Sequence, residues 1–232
     1  KEEELRLADR ITCPSQFVLD SIPLEIKQKT PCQISPFGSP PCKPVDFERP
    51  QENETIKLLF VGSMSQRKGL ADLFEAMKLL KGEPISLSIL GQPSMPMEFY
   101  RKQLAAFEYF PPCSNQKVRE IMRTHDAVVL PSIVEGRALV QQEALSCGLP
   151  IIVTPNAGGE DLVEEGITGH LVPIRSPEKI AEAIRAMIKN KNPKEEIRML
   201  CQKKATQYTW ANYAQNIIDF NLPNHAQRLE IA

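Results

Sequence analysis

The chain has 232 residues, 42% of them hydrophobic, and 28 Lys and Arg against 29 Asp and Glu give a formal net charge of −1. That length supports one large domain or two small ones with a substantial core. The near-neutral balance supplies no global basic field to gather nucleic acid, and no apolar run approaches the roughly 20 residues that span a bilayer.

Residues 1–10 read as the end of a polar helix, 11–13 as a short strand closed by Pro14-Ser15, and 17–22 as a weak helix. Six prolines and little periodicity mark 30–50 as a connector. The pattern then changes. Residues 56–61 form a mostly apolar run stopped by Gly62, as expected of a buried parallel strand. Apolar spacing predicts a helix over 70–80, and strands over 85–90 and 107–110 enclose a helix over 97–106. A helix over 117–123 precedes a strand over 127–130, and a helix over 137–147 precedes a strand over 150–153. A short helix over 161–165 stops at Gly166 before a sixth strand over 170–172. Helices follow over 177–189, started by Ser176-Pro177, then over 194–208 and 211–220.

This alternation predicts an α/β fold: a doubly wound, parallel six-stranded sheet with helices on both faces and extra C-terminal helices. Such sheets hold ligands beyond the carboxyl ends of their strands. Three loops there carry chemistry. The first, Gly62-Ser63-Met64-Ser65-Gln66-Arg67-Lys68-Gly69, opens on a glycine and ends in two cations as a helix begins. That suits phosphate, although a solvated Arg-Lys pair is the plainer alternative. Its spacing is neither a Walker loop nor G-x-G-x-x-G. The second, Pro131-Ser132-Ile133-Val134-Glu135-Gly136-Arg137-Ala138, delivers Glu135, lets the backbone approach a ligand at Gly136, and leaves amides of about 137–139 free at a helix start. The third, Pro155-Asn156-Ala157-Gly158-Gly159, again permits close backbone approach.

Glu143 lies in an apolar helical stripe with Leu139 and Cys147, so its carboxylate requires a partner from this chain or a ligand. Counted along one helix it falls about 12 Å from Glu135, too far for a carboxylate dyad on one bond but suited to two ends of an extended ligand. The six cysteines form no C-x-x-C pair, and no Cys/His cluster has zinc-ligand spacing. They read as reduced thiols in a cytoplasmic protein, with a Cys32–Cys42 bridge as the alternative. His125, His170 and His225 are scattered, and no D-x-D sequence indicates a metal site.

The run E-G-x-x-L-V-x-x-E-A-L-x-C-G-x-P over 135–150 resembles the E-x7-E motif of the group 1 (family four) retaining, nucleotide-sugar-dependent glycosyltransferases. The 61–69 loop, Val129-Leu130-Pro131-Ser132 and the 158–173 segment resemble the family's neighbouring pieces, in the same order. The resemblance implies the carboxyl-terminal, donor-binding half of a two-domain GT-B fold. It implies an NDP-sugar as donor substrate with no separate cofactor, and an acceptor (glycan, lipid-linked sugar or small molecule) held by a missing N-terminal domain. By it, Lys68 and Glu135 act in catalysis. Gly62, Ser63, Arg67, Lys68, Gly136, Arg137, Ala138 and Leu139 surround the sugar and diphosphate, and Glu143 holds the ribose hydroxyls. It also implies that 1–50 is the tail of the missing domain plus connector, 51–208 the donor domain, and 209–232 a helix crossing back. Peripheral membrane association of the intact protein is compatible with it; nucleic acid is not expected. The sequence departs from the pattern at Ser63, where many relatives carry Arg, at Arg137-Ala138, usually aromatic-small, and at Pro111-Pro112, usually glycine. A non-catalytic nucleotide-sugar receptor, or another GT-B enzyme such as an epimerase or phosphorylase, is the competing reading.

Overall fold

A computed structural model of the chain describes residues 2–43, 55–190 and 192–222. Its first elements are α1 (Glu2–Leu7), β1 (Ile11–Cys13), α2 (Gln16–Ser21), α3 (Leu24–Lys27) and β2 (Cys32–Ile34). β1 and β2 pair in parallel, and Ile11, Cys13, Ile22 and Ile26 form a small core of their own.

The larger body is built on β3 (Ile56–Val61), β4 (Ile85–Leu90), β5 (Glu108–Phe110), β6 (Ala127–Leu130), β7 (Ile151–Val153) and β8 (Gly169–Leu171). All ladders are parallel, in the order β5-β4-β3-β6-β7-β8. Every residue of β6 and β7 is buried, which is why these strands read as unbroken apolar runs without alternation. Six helices connect and cover the sheet: α4 (Leu70–Leu79), α5 (Met97–Gln103), α6 (Asn115–Met122), α7 (Leu139–Ser146), α8 (Pro177–Lys189) and α9 (Lys194–Thr206). α4 packs on α8, while α7 packs on α9 and α6, so the helices form two separate layers. The winding reverses between β3 and β6, which places the loops after these two strands at the switch point.

α10 (Trp210–Asn221) has no buried residue and lies against the first unit. Gln33 Nε2 donates to Asn216 O at 3.2 Å, and the Arg10 guanidinium sits over the Phe220 ring, 5.3 Å from its centroid. Phe37, between the two units, stacks on Trp210 with centroids 6.2 Å apart and meets Tyr213 edge-on at 5.6 Å.

Several expectations are corrected. The stretch 30–50 is not connector throughout, because Cys32–Ile34 is a strand, and α3 was not legible. The helix expected from 137 begins at Leu139. The helix expected over 161–165 is one 3-10 turn, Glu160–Leu162. All six cysteines are free, including Cys32 and Cys42. The boundary expected at 50/51, and His225, lie outside the described residues.

Candidate functional site

The two switch-point loops touch. The Ile133 amide donates to Arg67 O at 2.8 Å, and Gly69 packs so closely that a Cβ would collide with the Pro131 carbonyl oxygen. Gly69 also adopts a left-handed φ of 72°, which favours glycine twice over. This contact turns the 3-10 segment Gln66–Lys68 toward the second loop. The Lys68 stem passes Gly62, its Cε 3.5 Å from where a Cβ would stand, and the side chain is only 11% exposed. Its Nζ pairs with the Glu135 carboxylate, and Arg67 Nη1 reaches the same Glu135 oxygen at 3.2 Å. Lys68, Arg67 and Glu135 therefore converge from separate crossovers. Ser63 is turned to Ser65, Oγ to Oγ 3.1 Å.

The backbone of the second loop is held from behind. The Glu135 amide donates to Asn156 O at 2.9 Å and the Ala138 amide to Ala157 O at 3.2 Å, while Ser15 Oγ donates to Gly136 O at 2.5 Å. Ala138, expected to offer its amide to a ligand, thus has it committed. The amides of Gly136, Arg137 and Leu139 have no acceptor among the described residues. They stand at the amino end of α7, where free N–H groups and the helix dipole favour an anion.

Arg137, which the resemblance placed around the sugar and diphosphate, turns its side chain elsewhere. Its side chain is 1% exposed and turned into the protein. It grips Asp161 with two bonds of 2.8 and 3.1 Å, donates to Gly158 O at 3.0 Å and to Gln142 Oε1 at 3.3 Å, and lies over the Tyr208 ring. A buried guanidinium demands such a set of acceptors. Asp161, Gln142 and Asn156 were missed by the sequence reading. Asp161 is 24 positions from Arg137, and no local pattern joins them.

Glu143 is half-buried on α7. Burial raises its carboxyl above the ordinary value, opposed by the charge of Arg119 on α6. No hydrogen bond reaches that carboxylate among the described residues, so apart from the charge of Arg119 the chain gives it no partner. Because α7 begins at Leu139, Glu135 lies on a loop, and the 12 Å helical separation from Glu143 does not apply. Leu139 is exposed.

A cavity of about 320 Å³ lies beside the first loop between α4 and α5, lined by Met64, Ser65, Phe74, Phe99 and Tyr100 among others. Another, of about 120 Å³, sits at the amino ends of the strands near Ile56 and Asp126, at the end of the sheet away from the converging charges.

Residues 43–207 match the model of the family described as glycosyl transferases group 1. The D-inositol 3-phosphate glycosyltransferase of Jonesia denitrificans is 27% identical over 175 residues, which cover 69% of this chain and 41% of that protein. The chain thus spans less than half the length of that curated relative. Among solved structures, sucrose-phosphate synthase from Thermosynechococcus elongatus superposes with a TM-score of 0.80 at 19% identity, covering 97% of this chain and 61% of the other. An Anabaena protein, HepE, crystallised with UDP-glucose, gives 0.71 at 16% identity over 94% of this chain and 67% of its own. At these identities the structures establish the fold, a GT-B half. The family match extends over the whole six-stranded sheet and both switch-point loops: the chain belongs to the glycosyl transferases group 1 family.

Proposed function

We propose that this chain is the donor-binding part of a glycosyltransferase that moves a sugar from an NDP-sugar to an acceptor with retention of anomeric configuration. One observation carries it: Lys68, Arg67 and Glu135 meet beside the unpaired amides at the start of α7. The names of the relatives and the UDP-glucose in the Anabaena structure support the same reading.

When a donor enters, Lys68 exchanges the Glu135 carboxylate for the diphosphate, and Glu135 becomes available to accept hydrogen bonds from the sugar. Glu143 takes the ribose diol. As the bond from the anomeric carbon to the diphosphate breaks, the negative charge gathers on the leaving oxygens. There Lys68, Arg67 and the amides of Gly136, Arg137 and Leu139 stabilise it. The acceptor oxygen forms the new bond and its proton leaves with the diphosphate. Glu135 orients the sugar and offsets positive charge. We assign the acceptor site to the further length of chain that the relatives carry, so the 232 residues alone bind donor without transfer. No helix among the described residues is long and apolar enough to cross a membrane. A cytoplasmic enzyme, with peripheral membrane docking of the intact protein where the acceptor is lipid-linked, fits this assignment.

Calorimetric titration with UDP, GDP, ADP and their sugars tests it. We expect one nucleotide class to bind with Kd between roughly 1 μM and 1 mM, about tenfold more weakly to Lys68→Ala or Glu143→Ala. A folded chain that binds none of them overturns the proposal.

A further inference from the structure

Arg137 sits where three parts of the fold meet. Its own loop carries Glu135 and Gly136; its guanidinium holds the loop after β7 through Asp161 and Gly158 O; and its Nε bonds to Gln142 on α7. Gln142 Nε2 in turn donates to Phe37 O, and Tyr208, under the guanidinium, donates from its hydroxyl to Asp161 O at 3.1 Å. Tyr208 O accepts from the Ser39 amide at 2.8 Å. The donor loop, α7, the end of α9 and the segment around Phe37 are thereby tied through one cation.

We propose that the Arg137 side chain is a positioning group for the donor site, acting through the loop backbone without itself touching the donor. This rests on the donor-site reading above. The loop and the first residue of α7 carry the three unpaired amides, and the loop has no regular structure to hold its two in one direction. The amides of Glu135 and Ala138 fix its two ends against 155–157. Between these ends Ser15 Oγ holds the Gly136 carbonyl at 2.5 Å, and Arg137 is the loop's own side chain turned inward. Gly136 contributes no side chain, and Glu135 points to Lys68 and Arg67. A planar fork makes this anchor directional, since two parallel bonds to one carboxylate fix the plane of the guanidinium and a third nitrogen fixes its rotation. Lysine retains the charge and loses that geometry.

The test compares the wild-type chain with Arg137→Lys, Arg137→Leu and Asp161→Asn. Each is titrated with whichever of UDP, GDP or ADP binds the wild type, and hydrogen exchange is read at 135–139 with and without nucleotide. Asp161 is 40% exposed on its side chain, so Asp161→Asn reports even if Arg137→Leu does not fold. We expect Arg137→Leu to bind about tenfold more weakly, with Arg137→Lys and Asp161→Asn between it and wild type. We expect nucleotide to protect the amides of Gly136, Arg137 and Leu139 in wild type but not in Arg137→Leu. Folded variants with lower thermal stability but wild-type affinity and protection would overturn the positioning role while leaving the donor site standing. Absence of nucleotide binding in the wild type would overturn both.

Discussion

The Lys68 ammonium, carried by the turn after β3, lies against the Glu135 carboxylate, carried by the loop after β6. Strands whose crossovers wind in opposite directions are thus joined at their carboxyl ends through Glu135, which pairs with Lys68 and Arg67. Lys68→Ala removes the closer cation but leaves Arg67 at 3.2 Å from the same oxygen. Since Glu135 is partly solvated and keeps one partner, the stability cost is expected at about 1–2 kcal/mol. The loss of diphosphate affinity is larger in proportion, about tenfold or more. Denaturant unfolding and calorimetry on the same variant separate the two effects.

Glu143 is expected to cost stability for the sake of binding. Burial raises its folded-state pKa above the ordinary 4.5. Between the ordinary and the raised value the folded state holds more proton than the unfolded one, so this residue's contribution falls as pH rises through that window. Glu143→Gln should therefore be more stable than wild type at pH 7, with the difference shrinking as pH drops toward 4.5. Melting temperatures across that range check the sign. The same variant should bind nucleotide more weakly.

Gly69→Ala is expected to damage both loops together. Its φ of 72° disfavours a side chain, and the new Cβ would meet the Pro131 carbonyl. Relief requires moving the first loop away from the second, which breaks the Ile133–Arg67 backbone bond. A loss of about 2–4 kcal/mol is expected, together with nucleotide affinity. An alanine variant of wild-type stability and affinity would show that the loops meet less closely than described.

His125 is buried at 4% exposure, with Nδ1 2.8 Å from Ile121 O. Desolvation is the main cause that lowers its pKa below the ordinary 6.5. The unfolded chain therefore takes up a proton first as pH falls, and stability declines below 6.5 until the folded pKa is reached. The slope contributed is at most about 1.4 kcal/mol per pH unit. His125→Gln should flatten this part of the profile without altering nucleotide affinity at pH 7.5, since His125 stands apart from the converging charges.

The centre of the six-stranded sheet was legible because β3, β6 and β7 are largely buried and spell apolar runs, while Gly62 after β3, Gly91 after β4 and Pro131 after β6 mark strand ends. Pro177 likewise marks the first residue of α8. β2 was not legible. It has three residues between Pro31 and Pro36, and its strand character comes from β1, about 20 positions earlier. At the site, Glu143 could be singled out because a carboxylate in an apolar stripe is locally anomalous, whereas Lys68 and Glu135 stood out through the family resemblance, the Arg67-Lys68 pair alone reading more plainly as solvated. The inward turn of Arg137 could not be singled out. Whether an arginine faces water or turns inward depends on Asp161, Gly158 and Tyr208, which only the folded chain assembles.

The chain contains one tryptophan, and that residue is Trp210, stacked on Phe37 at the junction of the two units. Its indole is half exposed, so its emission responds to solvent at a single known place. Any shift of α10 against the segment around Phe37 changes that emission without an attached dye. Stopped-flow mixing with nucleotide would then time the movement of this joint directly, on a background free of other indoles.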